Sequence, residues 1–243
     1  MGFKPSKRVK NYFISTLLFL FISCCAYLLG WSSVLSVKEI SFNNAATEQL
    51  ILTNLSRNGV EPKIGDQLAR VDTRSIKRSL NQLSWVSSSD VSIDWFSKKV
   101  SISIIDRIAI AKATSSQNSF VNFDNEGNIF TPVSPSQLSI QDKLPQVVTD
   151  LNNKDDLASA AILLRQIPSN LGYIIDELEL ISITKSGYIW MSTRINGGLV
   201  RINWGRADEI EQKSKVLAAL LKLPENQQIK LVDLSQPDSP IVS

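Results

Sequence analysis

Three short strings in this 243-residue chain have the composition of a serine acyl-transfer site. Ser182-Ile-Thr-Lys185 matches Ser-x-x-Lys, Ser116-Gln-Asn118 matches Ser-x-Asn, and Lys185-Ser-Gly187 matches Lys-Ser-Gly, the elements of an envelope enzyme of the penicillin-binding class. Their order is wrong. The first should precede the second and open a helix, and Lys185 would have to serve two elements at once, which one side chain cannot do. The chain has no histidine, so Ser-His-Asp chemistry and His-ligated metals are excluded, and it has no Gly-rich phosphate loop. Asp155 and Asp156 are adjacent carboxylates, but side chains at i and i+1 on a helix diverge, and acids in a first turn are ordinary partners of the helix dipole. The segment 119–130 (SFVNFDNEGNIF) puts Asp124 and Glu126 before Gly127, yet lacks the acidic alternation and the distant Glu of a calcium loop. It reads as a hairpin. Cys24 and Cys25 fall in an apolar run, which leaves the rest of the chain without a thiolate or a disulfide. No catalytic residue, metal site or cofactor is assigned, and the chain is read as a binding protein.

The apolar run, residues 13–31 (FISTLLFLFISCCAYLLGW), is 19 residues without a charge. At 1.5 Å per residue it makes a helix of about 28 Å, the thickness of a bilayer's hydrocarbon core. Phe13, Leu20 and Trp31 mark its start, middle and end. Lys4, Lys7, Arg8 and Lys10 precede it with no acid among them, which keeps the short tail, residues 1–11, in the cytoplasm and exports the remainder. A cleaved signal peptide would end in small residues, whereas Tyr27-Leu-Leu-Gly-Trp31 continues the apolar run. Phe21 argues against a lipoprotein site at Cys24. A single transmembrane helix, residues 12–34, in a plasma membrane is the expectation.

Removing tail and anchor leaves 207 residues, enough for two domains. Four of the 26 basic residues lie in the tail, so the exported part has 22 basic against 23 acidic residues, a balance that argues against a nucleic-acid partner. The first exported stretch reads as a strand at 37–42 and a helix opened by Thr47, with Leu50, Ile51 and Leu55 on one face and a stop at Asn58-Gly59. A second helix capped by Asp72 or Thr73 carries Ile76, Leu80 and Leu83. Two strands then alternate through Val91, Ile93 and Trp95 and through Val100, Ile102 and Ile104, around a turn at 96–98. Trp85 and Trp95 are expected in the core. The order is β-α-α-β-β.

That order is the pattern of a POTRA domain, and the residues filling it resemble the FtsQ/DivIB family of bacterial cell-division proteins. The matching strings are Leu68-Ala-Arg-Val-Asp72, Leu83-Ser-Trp-Val86, Asp90-Val-Ser-Ile-Asp-Trp95, Lys99-Val-Ser-Ile-Ser-Ile-Ile-Asp-Arg107 and Ile110-Ala111. The chain departs from the family's pattern at Asn43-Asn44, where Gly is common, at Phe96, where Pro is common, and at Asp106, where Glu is common. A polar connection at 112–119 leads to the hairpin of 119–130, a proline-broken loop at 132–145, and a helix from Asp155 to about Ile167. Strands follow at 177–184, 188–195 and 199–204, the last two joined across Asn196-Gly197-Gly198. A helix at 208–223 carries Glu209/Lys213 and Glu211/Lys215 pairs, read as solvated charges. Val232-Asp-Leu-Ser-Gln-Pro-Asp-Ser-Pro240 resembles the ending of this family's β domain, particularly in actinobacterial and cyanobacterial members.

The expected fold class is therefore α+β: a transmembrane helix, a POTRA domain at 37–111, and a β-rich domain at 112–243 with an antiparallel sheet and flanking helices. The resemblance implies a non-enzymatic scaffold of the division septum. Its implied partners are FtsB- and FtsL-type proteins, with other division proteins reached through the POTRA domain, besides the lipid bilayer. The partner site is placed at the closing strand, 229–234, and the segment after it. There Pro237 and Pro240 each lack an amide, and a partner's strand can pair over the unblocked positions. Its candidate residues are Val232, Leu234, Ser235, Gln236, Asp238, Ser239 and Ile241.

Overall fold

The computed structural model describes residues 7–30, 35–114 and 120–243, with residues 7–9, 25 and 28–30 described in backbone only. It divides into two compact units, Met1–Ile105 and Asp106–Ser243. Helix α1 spans Lys7–Gly30, and Phe13 and Leu20 on it are exposed. Among the described residues no helix is long and apolar enough to cross a membrane. The apolar run of the sequence continues through 28–31, and of the expected anchor Trp31 and residues 32–34 lie outside the described residues.

The first unit has β1 (Glu39–Phe42), α2 (Glu48–Arg57), α3 (Thr73–Asn81), β2 (Val86–Asp94) and β3 (Lys99–Asp106), the element order read from the sequence. Its sheet has the order β1-β3-β2, with β1 parallel to β3. Asp72 caps α3 by accepting from Ser75 N at 3.0 Å, and this holds its carboxyl below the ordinary range. Ile51, Leu55, Ile76, Leu80, Val100 and Ile102 form the core, each contributing about 1.5–3 kcal/mol relative to exposure. Asn58 Nδ2 donates to Ser79 Oγ at 2.7 Å and Ser79 Oγ to Asn54 Oδ1 at 2.8 Å, which joins the two helices through satisfied polar groups.

Two expectations fail here. Leu50 is half exposed, because one residue's rotation of a helix carries it off the face that Ile51 and Leu55 share. Trp95 is 41% exposed while Trp85 is 6% exposed. The strand β2 stops at Asp94, so Trp95 belongs to the turn and escapes the alternation that would have turned it inward.

The second unit is a nine-stranded sheet of order β12-β11-β10-β9-β8-β7-β4-β5-β6. Its elements are β4 (Ala111–Thr114), β5 (Phe120–Phe123), β6 (Ile129–Phe130), α4 (Pro135–Ser139), β7 (Gln146–Val148), α5 (Lys154–Gln166), α6 (Tyr173–Asp176), β8 (Leu178–Ile183), β9 (Ile189–Ile195), β10 (Gly198–Gly205), α7 (Ile210–Leu220), β11 (Leu231–Asp233) and β12 (Ile241–Val242). Residues 112–114, read as a connection, are part of β4, and residues 115–119 lie outside the described residues. The register aligns Ala113, Val147, Ile181, Met191, Ile202 and Val232 in one transverse row, every member fully buried. Helix α5 lies against β8 and α7, and α6 against β9. The adjacent row, Thr114, Val148, Ser182, Trp190, Asn203, Asp233 and Ile241, projects from the opposite face.

The sheet is mixed rather than antiparallel: β4 with β7, β7 with β8, and β10 with β11 run parallel. Helices α5 and α6 separate β7 from β8, and α7 separates β10 from β11. Such crossovers return the chain to the same end of the sheet and so impose parallel pairing.

The α7 charges also differ from the expectation. Lys215 pairs with Glu211 at 2.7 Å, but Lys213 is buried and donates to Asp208 Oδ1 at 2.6 Å and Arg206 O at 3.0 Å. Glu209 is the left-handed residue before the helix (φ 50°), and a helical side chain leans toward the N-terminus, so Lys213 reaches back into the loop rather than to Glu209. A buried ammonium requires such partners.

Candidate functional site

The three strings with acyl-transfer composition are not assembled. Ser182 sits within β8, paired with Trp190, where no helix begins, and residues 184–187 make the tight turn into β9, closed by Gly187 N to Thr184 O at 2.9 Å. Ser116-Gln-Asn118 lies outside the described residues. Asp124 is the acceptor hub of a turn: Oδ1 takes the amides of Glu126 and Asn128, both at 2.9 Å, Oδ2 takes Asn128 Nδ2 at 3.0 Å, and Arg107 pairs with it. Burial pushes this carboxyl up, and the donors outweigh that and hold it below its ordinary value. Its oxygens are committed to the fold. Asp155 and Asp156 open α5, with Asn153 as the cap.

What the second unit does offer is a sheet edge. Strand β11 runs parallel to β10 in register Ile202 with Val232, and β12 folds back antiparallel in register Val232 with Val242. Pro237 and Pro240 stand in the reversal between the two strands rather than along one extended edge, because the chain turns at 235–240. Ser243 N donates to Leu231 O at 3.1 Å and Leu231 N to Ser243 O at 3.0 Å, so residues 231 and 243 are a hydrogen-bonded antiparallel pair. By the alternation of such ladders, the N–H and C=O of Val242 point away from β11. Residue 240 has the same parity, and as proline it brings no amide to that outer side.

The seven residues named from sequence divide accordingly. Val232 and Leu234 are fully buried in the core. Ser235 closes the start of the reversal, with its N and Oγ bonded to Asp233 Oδ1 at 2.8 and 2.6 Å. Asp238 accepts from Gln212 Nε2 at 3.0 Å, Gln236 and Ser239 are exposed, and Ile241 is 63% exposed on the sheet's open face. Gly205 at the end of β10 has φ 65°, and a Cβ there would stand 2.9 Å from Ser235 Cα, so the reversal packs directly on bare backbone.

Sequence reasoning missed Val242. A strand after Ser-Gln-Pro-Asp-Ser-Pro was legible as a turn followed by two apolar residues. It also missed a groove of about 560 Å³ at the start of β11, lined among others by Ile195, Leu199, Arg201, Ile229 and Lys230. The groove carries two cations and no carboxylate, and Arg201 stacks 5.0 Å from the Trp190 ring centroid.

Asp233 anchors this edge. Burial raises its affinity for a proton, but Ser235 Oγ, Ser235 N and Asn203 Nδ2 favour the charged form and leave its carboxyl below the ordinary value of 3.8. A depressed folded value means that its stabilisation is complete above 3.8 and is lost as the pH falls through the folded value. A carboxyl carbon NMR titration should therefore place its midpoint below 3.8, and Ser235→Ala should move that midpoint upward. A midpoint unchanged by Ser235→Ala would mean that the serine does not hold the charge.

The second unit of this α+β protein ends on an open strand edge at β12. The sequence model of the family described as cell division protein FtsQ/DivIB, C-terminal, matches residues 113–235, half of the chain, and the chain belongs to that family. Membership implies a role in cell division. No curated protein matches the chain.

Proposed function

We propose that this protein is a non-enzymatic, membrane-anchored scaffold of the bacterial division complex that recruits FtsB- and FtsL-type partners to the septum. The family match over residues 113–235 carries the reading. In this reading residues 12–34 anchor the chain in the plasma membrane, residues 1–11 stay in the cytoplasm, and both units work outside. The first, over residues 37–111, is a POTRA domain that contacts other division proteins. The second, residues 112–243, holds its partner at the outer side of β12, where the outward amide and carbonyl of Val242 are free to pair with an added strand. Ile241, Gln236 and Ser239 lie beside that strand's path, and Lys230 at the start of β11 suits an acidic side chain on it.

Deleting residues 236–243 would uncover β11 and create a substitute edge, so a single substitution discriminates better. Val242→Pro removes the outward amide without removing a bond to β11. Capture of an FtsB-type partner by the full chain in detergent should fall about tenfold or more, the effect of losing a main-chain bond worth ~1.4 kcal/mol. The melting curve should shift only slightly, because Val242 packs partly buried against the core and proline keeps part of that apolar contact, and in cells the variant should reach the septum without bringing the partner. Undiminished capture by folded Val242→Pro protein would defeat the edge assignment.

A further inference from the structure

Three exposed apolar residues of the first unit, two of them aromatic, stand at one end of its sheet, apart from Leu50 on α2 and Ile105 at the far end of β3. Phe96 is 98% exposed, Ile64 74% and Trp95 41%. The turn presenting the two aromatics is fixed: Asp94 Oδ1 accepts from the amides of Phe96 and Ser97 at 2.9 and 3.2 Å, and Lys98 takes the left-handed region at φ 60°. Ile64 stands in a loop held by Gly65 N to Val37 O at 2.9 Å and Val37 N to Asp66 O at 2.8 Å. Lys38 N in turn donates to Lys98 O at 2.8 Å. Loop and turn therefore converge on Val37 and Lys38.

Those two residues follow the apolar run after only five residues, 32–36. Six peptide units separate Trp31 from Val37, which bounds their separation to about 22 Å even in a fully extended chain. The turn Leu68–Arg70, which continues the Ile64 loop, lies beside α1. Three carboxylates near this end are engaged: Glu39 pairs with Lys99 at 2.7 Å, Asp66 Oδ2 accepts from Lys63 N at 2.8 Å, and Asp94 closes the turn, while Glu61, three residues before Ile64, forms no ion pair among the described residues. Lys38, Lys63 and Lys98 form no ion pair among the described residues.

We propose that this end is a membrane-contact surface, with Ile64, Trp95 and Phe96 entering the headgroup layer of the bilayer and Lys38, Lys63 and Lys98 beside its phosphates. The proposal rests on the reading of residues 12–34 as an anchor. Single exposed apolar residues need no explanation, but three of them gathered at the end that the chain length ties to the bilayer do. Tryptophan is enriched at that depth, and lysine can lay its stem along apolar surface while its ammonium stays in the wet layer. The contact would set the first unit on the membrane with its β2–β3 turn downward, so that β2 rises away from the lipid.

Nitroxide labels on the full chain test this. In a Cys24→Ser, Cys25→Ser background, Leu20→Cys reports the anchor, Ile64→Cys and Phe96→Cys report the contact, and Ser87→Cys, about 26 Å up β2 at 3.3 Å per residue, reports the water side. The label sites Leu20, Ile64, Ser87 and Phe96 all have exposed side chains, so labelling them does not disturb a core. The chain is reconstituted in vesicles of phosphatidylethanolamine and phosphatidylglycerol. Labels at 64 and 96 should lose access to a water-soluble nickel complex and gain access to oxygen relative to 87, with 20 deeper than both. If 20 is buried while 64 and 96 match 87, the contact surface is wrong and the anchor stands. If 20 is open to nickel and the chain does not float with the vesicles, the anchor reading fails and takes this proposal with it.

Discussion

Trp85→Ala should lower the stability of the first unit by ~3–5 kcal/mol, whereas Trp95→Ala should cost under ~1 kcal/mol. The two indoles are ten residues apart and identical in chemistry, so the contrast isolates position. Trp85 is 6% exposed between the end of α3 and the start of β2, and removing it leaves a cavity that the surrounding helices and sheet fill only in part. Trp95 is 41% exposed beyond the last residue of β2, and its loss uncovers little. Because the chain folds in two units, a single melting point mixes their contributions, and hydrogen exchange of β3 amides in the full chain is the cleaner measurement. Equal protection losses in the two variants would refute the placement of the turn, and with it the presentation of Phe96.

Gly127→Ala should cost the second unit ~2–4 kcal/mol, from the left-handed backbone that an L side chain resists and from overlap with neighbouring backbone. Gly127 has φ 74°, and a Cβ there would lie 2.6 Å from Lys154 O and 2.8 Å from Ala158 N. The contact atoms are main chain of α5, which cannot rotate aside. The turn around Asp124 therefore seats the β5–β6 hairpin against the start of that helix, and the substitution should separate the two. Amides of β5 and of the first turns of α5 should lose exchange protection together. Loss confined to β5 would show that the helix does not depend on the hairpin.

Much of the local structure was readable because it depends on neighbours in sequence. Asp72 ahead of Ile76 and Leu80 marked a capped amphipathic helix, alternation through Val100, Ile102 and Ile104 marked a strand, and Asn196-Gly197-Gly198 marked the β9–β10 reversal. Asp124 and Gly127 read as a turn for the same reason. The absence of histidine and the shared Lys185 argue against catalysis from sequence alone, since composition and order are properties of the chain itself.

What the tertiary structure decided were the relations between segments distant in sequence. Strand β7 is three residues long and follows Pro145, too short to show a period, and only its place between β4 and β8 makes it a strand. The parallel pairings arise from crossovers through α5, α6 and α7, and strand sequences carry no mark of direction. Lys213 resembled any solvated helix lysine, yet the loop from Arg206 to Asp208 closes over it. At the candidate site the sequence determined that the ending is turn-rich and carries two prolines. Only the fold of β12 back onto β11 decided that Val232 and Leu234 are core and that the outward main chain belongs to Val242, because an edge is defined by which strand has no neighbour, and that is a fact of packing.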